Sequence, residues 1–240
     1  MCDFHPGATD LVLFLHGLAC SREAFRYLFD GSYFPGTTLL VPDLPGFGLS
    51  VKPDHFSYTM EDQAEICTQL LSLFPFQRLH LVAHSMGGAI ALLLSQQISP
   101  ICSFANIEGN LISDDCGLLS RSIVNMPSFD YQSFGFAEHQ LEFAADSQLR
   151  FDQTTATAVY RSARSLVRLS DSGELLQLFK QLPCRNVYFY GAENSHLSVL
   201  RELGDTLKIM VPDCGHGMTT DNPDLFYPML AEFINQTGQL

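Results

Sequence analysis

Short apolar runs alternate with longer segments of helical periodicity along most of the 240-residue chain. Runs such as 11–15 are apolar at every position, which is typical of a strand buried on both faces of a parallel sheet. Between the runs, segments such as 59–74 carry apolar residues at helical spacing. This alternation predicts an α/β fold. The predicted strands cover residues 11–15, 37–41, 79–83, 103–108, 186–191 and 206–212.

From about residue 111 to residue 182 the alternation lapses, and the stretch becomes richer in Ser, Asp, Gln and Arg. We interpret it as a helical lid over the strand ends, inserted into a core formed by residues 1–110 and 183–240. Three arginines on one helix face are more typical of a solvated surface than of an anion site: Arg161, Arg164 and Arg168. The aromatic residues of the stretch 111–182 either line a pocket for an acyl or aromatic group or pack within the lid: Phe129, Tyr131, Phe134, Phe136 and Phe143.

A sharp turn from strand to helix stands at His84-Ser85-Met86-Gly87-Gly88. The pattern is that of a nucleophile elbow, in which the residues two before and two after the serine must be small. Ala83 replaces the usual glycine, and Gly87 meets the second requirement. The turn would lift the Ser85 hydroxyl above the sheet at the N-terminus of a helix, where the helix dipole favours an anionic intermediate. The alternative interpretation is an ordinary strand–helix turn.

Two further loops at strand ends carry candidate chemistry. His16-Gly17 follows the first apolar run, and a His-Gly pair there commonly shapes an oxyanion loop, because glycine lets the backbone approach the reacting carbon. The main-chain N–H groups of Leu18 and Met86 are then the predicted donors to the oxyanion. Gly215-His216-Gly217 lies between the last strand and the last helix, so His216 is the candidate general base.

A serine–histidine pair also needs a carboxylate to orient the base and to stabilise its positive charge. Asp43, in the Pro- and Gly-rich loop 42–50, is better explained as a structural residue that holds loop amides. Glu108 ends the strand beside the nucleophile strand, which is where α/β sheets place their active sites. The alternative role for Glu108 is a structural carboxylate at the lid entrance.

In their order and spacing, His16-Gly17, the loop 42–48, the serine turn 84–88 and Gly215-His216 resemble the α/β-hydrolase-fold superfamily, in its serine-nucleophile branch. The resemblance covers nearly the whole chain and is weakest in the lid. It implies a mostly parallel sheet flanked by helices, with the lid inserted after the strand that follows the nucleophile helix. We expect about six strands, because residues 1–10 leave little room for the family's first two antiparallel strands.

The resemblance places the triad acid three residues after Gly191, where this chain has Asn194. An asparagine can orient a histidine but cannot stabilise an imidazolium by charge, and in a serine protease the exchange of Asp for Asn lowers kcat by about 10⁴. Some family members, among them certain haloalkane dehalogenases, carry the acid after the strand that follows the nucleophile helix. By that resemblance Glu108 is the favoured acid and Glu193 the alternative; the third possibility is a site with Asn194 or with no acid.

The amino-acid composition and net charge limit the kinds of molecule that the protein is expected to bind. Apolar residues make up 46% and charged residues 16%, as in a globular chain, and the net charge of −13 argues against nucleic acid and anionic membranes. The sequence shows no run of 18 apolar residues and no signal peptide pattern, and its seven scattered cysteines fit reduced thiols. We therefore expect a cytoplasmic protein with a small-molecule substrate; the oligomeric state stays open.

These observations favour a serine hydrolase that cleaves a carboxylic ester or thioester through an acyl-serine, with no metal and no organic cofactor. Serine in place of aspartate at the turn argues against dehalogenase and epoxide hydrolase chemistry. One alternative is a carbon–carbon bond hydrolase or lyase that uses the same Ser85 and His216. Another is a ligand-binding protein on this fold. The acidic surface indicates a small neutral or cationic substrate.

Overall fold

The computed structural model describes residues 1–7, 9–117, 119–146 and 148–236. Its strands are β1 (Cys2–His5), β2 (Asp10–Leu15), β3 (Thr38–Pro42), β4 (Arg78–His84), β5 (Ile101–Ile107), β6 (Arg185–Gly191) and β7 (Lys208–Val211). They form one sheet in the order β1-β3-β2-β4-β5-β6-β7, in which β1 is antiparallel to β3 and every other neighbouring pair is parallel. All six predicted strands are present, so the α/β architecture with a mostly parallel sheet is confirmed.

The seventh strand, β1, was not expected and makes the sheet one strand larger than predicted. It is four residues long and pairs with β3 at the edge of the sheet, from Cys2 opposite Pro42 to His5 opposite Leu39. A short, half-exposed edge strand does not need a continuous apolar run, so the pattern that identifies the central strands is missing there. Ten residues leave room for this one antiparallel strand.

The sheet separates two apolar layers. Leu11, Leu13 and Leu15 of β2 belong to the cluster on one side, whereas Val12 and Phe14 belong to the cluster on the other. Because both faces of β2 are buried from residue 11 onward, every position from Leu11 to Leu15 is apolar.

Helices lie on both sides of the sheet, and no helix within the described ranges is long and apolar enough to cross a membrane. The α-helices are α1 (Met60–Leu71), α2 (Met86–Leu94), α3 (Ser120–Asn125), α4 (Ser128–Asp130), α5 (Phe136–Glu142), α6 (Ala156–Ser172), α7 (Glu174–Lys180), α8 (Val199–Glu202), α9 (Met218–Asp221) and α10 (Pro223–Asn235). A π-helical turn spans Tyr131–Gly135, and 3₁₀ helices span Arg22–Phe29, Ser113–Cys116, Phe151–Gln153 and Ala192–Asn194.

Between β5 and β6 the described chain is helical from α3 to α7 and contains no strand. Its aromatic residues fill both expected roles in part, but Phe129 and Phe134 are exposed and fill neither. Tyr131 is buried in the apolar core and Phe143 lines a cavity, whereas Phe129 is 79% exposed. Arg168 pairs with Glu61 on an exposed surface, as a solvated helix face does. The division of the chain into a core and a lid stays a prediction.

Candidate active site

Ser85 joins β4 to α2 in a strained turn. Its φ of 52° and ψ of −122° lie in a region that residues other than glycine rarely occupy, at a cost of about 1–3 kcal/mol. Two main-chain hydrogen bonds hold the turn: the Ser85 N–H donates to the Ile107 carbonyl at 3.0 Å, and the Gly88 N–H donates to the Ser85 carbonyl at 2.8 Å. Strain held in place by surrounding structure is typical of functional sites.

The turn needs glycines because other backbone segments approach it closely. A side chain at Gly87 would place its Cβ 2.4 Å from the Leu15 carbonyl oxygen, and one at Gly17 would place its Cβ 3.1 Å from the Ser85 Cβ. Gly87 therefore allows α2 to begin against the end of β2. Gly17 allows the loop after β2 to pass beside the serine.

That loop brings main-chain donors close to Ser85. It folds back through a 3.2 Å bond from the Cys20 N–H to the Gly17 carbonyl. Among the residues that the structure describes, neither the Leu18 N–H nor the Met86 N–H has a hydrogen-bond partner. Both groups are therefore free to donate to an oxyanion, and Leu18 lines the same cavity as Ser85. Their assignment as an oxyanion hole stays a prediction.

His16 and Asp43 hold the loops after β2 and β3 in place through hydrogen bonds and an ion pair. The Leu44 N–H donates to His16 Nε2 at 3.1 Å, which links the loop after β2 to the loop after β3. Asp43 accepts from the Leu49 N–H at 2.8 Å and pairs with Arg22 at 2.6 Å. These contacts agree with the structural role expected for Asp43.

His216 and Glu108 meet across the ends of β5 and β7. Their Nδ1 and Oε2 atoms are 2.8 Å apart, and with Nδ1 as the donor, Nε2 is left as the basic nitrogen. Glu108 has a φ of 42°, and its N–H donates to the Phe189 carbonyl at 3.0 Å. This main-chain bond fixes the position of the Glu108 backbone. Ser85 and His216 line one cavity, and no hydrogen bond joins their side chains in the described part of the chain. Catalytic hydrogen bonds often tighten only when substrate binds.

Three donors converge on the carboxylate of Glu108, which is 5% exposed. Besides His216, the Gly191 N–H donates to Oε1 at 2.8 Å, and Asn194 Nδ2 lies 3.0 Å from Oε1 and 2.8 Å from Oε2. Burial raises the pKa of Glu108. His216, Gly191 and Asn194 together lower it by more than burial raises it, so the net shift is downward. The carboxylate is therefore ionised where it contacts the imidazole.

The alternative acid, Glu193, is placed differently. It lies in the 3₁₀ turn after β6, its side chain is exposed, and within the described residues it makes no hydrogen bond to His216. Asn194, at the position where the family resemblance expects the acid, donates to Glu108 instead. The structure thus brings Ser85, His216 and Glu108 to one place, while their catalytic roles stay predictions.

His84 has a contact that the sequence analysis missed. Its Nε2 donates to the main-chain carbonyl of His216 at 2.9 Å, and the two rings are 4.6 Å apart. Burial, followed by the nearby His216, lowers the pKa of His84 to about 3, so the ring is neutral. The only signal in the sequence was its position directly before Ser85.

A cavity of about 440 Å³ opens at this end of the sheet. Four of its lining residues are acidic, none is lysine or arginine, and the described residues hold no cluster of His, Cys, Asp and Glu suited to a metal ion. Sequence reasoning missed most of the lining because its residues come from distant loops. The lining consists of Leu18, Cys20, His84, Ser85, Asn110, Asp115, Leu119, Ser120, Phe143, Asp146, Gln148, Leu149, Glu193, Gly215, His216, Gly217 and Asp221.

A mostly parallel sheet with a serine at a strained strand–helix turn and a histidine after the last strand defines the class of α/β hydrolases. A family model described as "alpha/beta hydrolase fold" matches residues 10–142, and the chain belongs to that family. Curated relatives match a shorter stretch. One is the "Probable lysophospholipase BODYGUARD 2" of Arabidopsis thaliana, 33% identical over 93 residues, which are 37% of this chain and 20% of the relative. Another is the "Uncharacterized hydrolase YugF" of Bacillus subtilis, 34% identical over 96 residues, or 39% and 33% of the two chains.

Solved structures match over nearly the whole length at low sequence identity. The N-acyl homoserine lactonase AidH in complex with N-butanoyl homoserine has a TM-score of 0.77 at 17% identity, covering 100% of this chain and 93% of that one. The esterase EaEST from Exiguobacterium antarcticum has a TM-score of 0.73 at 17% identity, covering 98% and 94%. At such identity the likeness establishes the fold.

Proposed function

We propose that the protein hydrolyses a carboxylic ester or thioester of a small molecule through an acyl intermediate on Ser85. The observation that carries the proposal is the 2.8 Å bond between His216 and Glu108, formed at the cavity that Ser85 also lines. A nucleophile, a base and a carboxylate that orients the base are what acyl transfer to serine requires.

In the proposed mechanism the Ser85 Oγ attacks the carbonyl carbon of the substrate while His216 Nε2 accepts the hydroxyl proton. Glu108 holds the Nδ1–H and stabilises the imidazolium. The N–H groups of Leu18 and Met86 donate to the oxyanion. The bond to the leaving alcohol or thiol then breaks, and His216 returns the proton to it. A water molecule, deprotonated by His216, then attacks the acyl carbon. The bond between this carbon and the Ser85 Oγ breaks, His216 returns the proton to Oγ, and the carboxylic acid leaves.

The names of similar proteins support ester cleavage. They include probable lysophospholipases, an esterase and a lactonase. The chain covers only a fifth of the length of the first lysophospholipase, so the cavity is a better guide to its substrate than that relative is.

We also propose that the helical segment 111–182 is the lid of this site. It contributes seven residues to the lining of the cavity: Asp115, Leu119, Ser120, Phe143, Asp146, Gln148 and Leu149. All seven cysteines are free thiols, which fits the proposed cytoplasmic location.

The test compares p-nitrophenyl acetate hydrolysis by the wild type, by Ser85→Ala, and by Ser72→Ala, which removes an exposed serine at the end of α1. We expect Ser85→Ala to lower kcat by at least about 10³ and Ser72→Ala to match the wild type. Equal rates for Ser85→Ala and the wild type would contradict the serine mechanism. A wild type no faster than background would contradict ester hydrolysis and favour the carbon–carbon hydrolase, lyase or ligand-binding alternatives.

A further inference from the structure

We propose that the substrate carries a protonated amine, which the acidic wall of the cavity and Asn110 recognise. The inference rests on the proposed function and names the substrate class of the same site. Three observations support it: the excess of carboxylates in the lining, the absence of lysine and arginine from the described lining, and an unpaired acceptor on a buried side chain.

Acidic residues are concentrated in the cavity wall. They make up four of the 17 lining residues, against 26 of 240 in the chain, so they are more than twice as frequent there. Asp146, Glu193 and Asp221 are exposed at the cavity, and Asp115 is half-buried. Burial raises the pKa of Asp221, and the charges of Asp146 and Glu193 raise it further, so these three carboxylates act on one another.

Among the described residues, no lysine or arginine balances this wall. In the described ranges none of the four carboxylates forms an ion pair with lysine or arginine, and the nearest arginine along the chain, Arg150, pairs with Asp152 at 3.0 Å. Asp115 accepts main-chain N–H bonds through Oδ2 alone, and Asp146 through Oδ1 alone. Each therefore keeps its second carboxylate oxygen unpaired among the described residues.

Asn110 adds an observation that is independent of the charges. It is 4% exposed, lines the cavity, and follows Glu108 by two residues in the loop after β5. Its Nδ2 donates to the Asp115 carbonyl at 2.8 Å, which fixes the orientation of the amide. Its Oδ1 has no partner within the part of the chain that the structure describes. A buried acceptor without a donor is unfavourable, so a ligand N–H that reaches this oxygen would be favoured.

Together these features select among substrates. A negatively charged ester would be repelled by the wall, and a neutral ester would gain nothing from it. A protonated amine supplies both the positive charge that the carboxylates attract and the N–H that Asn110 lacks. A quaternary ammonium supplies the charge alone.

The experiment measures kcat/KM for three acetates of nearly equal shape. One is 2-(dimethylamino)ethyl acetate, which is a cation with one N–H at neutral pH. The second is acetylcholine, a cation without an N–H, and the third is 3-methylbutyl acetate, the neutral carbon isostere of the first. We expect the protonated amine to exceed the neutral ester by about tenfold and acetylcholine to lie between them, with the preference falling as salt is added.

Variants identify the source of the preference. Glu193→Gln and Asp221→Asn should each reduce the ratio of cationic to neutral kcat/KM by about two- to fivefold. Glu202→Gln is the matched control, because it removes the same charge from an exposed residue outside the lining and should leave the ratio unchanged. Equal kcat/KM for all three esters, or a ratio insensitive to Glu193→Gln, would overturn the inference and leave the proposed function intact.

A separate measurement covers the case in which the proposed function fails. Calorimetric titration of Ser85→Ala with the same three esters measures their binding affinities without turnover. Tighter binding of the protonated amine than of its neutral isostere would support the inference even if the wild type hydrolyses none of them. Equal binding of the two would overturn it.

Discussion

Two neighbouring strand ends differ in a way that explains how the site is built. The loop after β5 holds Glu108, whose carboxylate contacts His216. The loop after β6, where the family resemblance expects the acid, holds Asn194, whose amide donates to both oxygens of Glu108. One loop therefore supplies the negative charge, and the other supplies the donor that stabilises it.

The difference shows why an amide suits the second loop. Two ionised carboxylates within about 3 Å repel each other, and one of them would take up a proton. Asn194 keeps the polar contact without that repulsion and helps to lower the pKa of Glu108. Glu108 and Asn194 thus form a matched pair, and we expect a change in either loop alone to weaken the contact between them.

The strongest test of this comparison is Glu108→Gln. Glutamine can still accept from the Gly191 N–H, but it cannot stabilise the imidazolium, so we expect kcat for p-nitrophenyl acetate to fall by about 10³–10⁴. Circular dichroism and the melting temperature would verify that the variant is folded. A folded variant with near-wild-type kcat would show that the loop after β5 does not supply the acid.

The double variant Glu108→Gln/Asn194→Asp moves the charge to the other loop. We expect it to recover about 10- to 100-fold of the kcat lost in Glu108→Gln, because a carboxylate within hydrogen-bond distance of the residue 108 side chain restores part of the charge stabilisation of His216. The comparison is with Glu108→Gln under identical conditions. No recovery would mean that only the loop after β5 positions a carboxylate for His216.

Asn194→Ala removes donors and leaves the charge. We expect kcat to fall by about tenfold, the equivalent of about 1.4 kcal/mol, since a hydrogen bond to a charged group is lost. Asn194 lowers the pKa of Glu108, so its removal raises that pKa and should shift the acidic limb of the pH–rate profile to higher pH. Asn235→Ala, at the exposed end of α10, is the control. An unshifted acidic limb would contradict the proposed role of Asn194.

Glu193→Gln should have the smallest effect on chemistry. Its carboxylate makes no contact with His216 among the described residues, so we expect kcat for p-nitrophenyl acetate to change by less than about threefold. A loss comparable to that in Glu108→Gln would instead identify Glu193 as the acid and reverse the comparison.

The same two loops show what the sequence could predict. The strand before Glu108 was predicted from a short stretch in which most residues are apolar, and a carboxylate at its end had to lie near Ser85. That placement was predictable from the order of the strands. The donation from Asn194 was not, because it depends on the conformation of a 3₁₀ turn that is set by tertiary packing.

The residues that line the cavity could not be predicted from the sequence, for a related reason. Asp115, Asp146 and Asp221 lie in segments without strand or helix periodicity, far apart along the chain, and any one of them reads as an ordinary surface residue. Likewise β1 could not be recognised from four residues at a half-exposed edge. Patterns of burial reveal the core, whereas contacts between loops require the folded structure.

The contact between His84 and His216 has a consequence for the order of folding. It joins residues 132 positions apart, and the contact between Glu108 and His216 spans 108 positions. Contacts this distant along the chain form late, because closing long loops costs entropy before the contact repays it. The strands up to β6 can assemble first, but His216 reaches Glu108 only when β7 docks beside them. During refolding, secondary structure should therefore return before the proposed hydrolase activity, and the release of β7 alone should abolish that activity while the rest of the sheet stays intact.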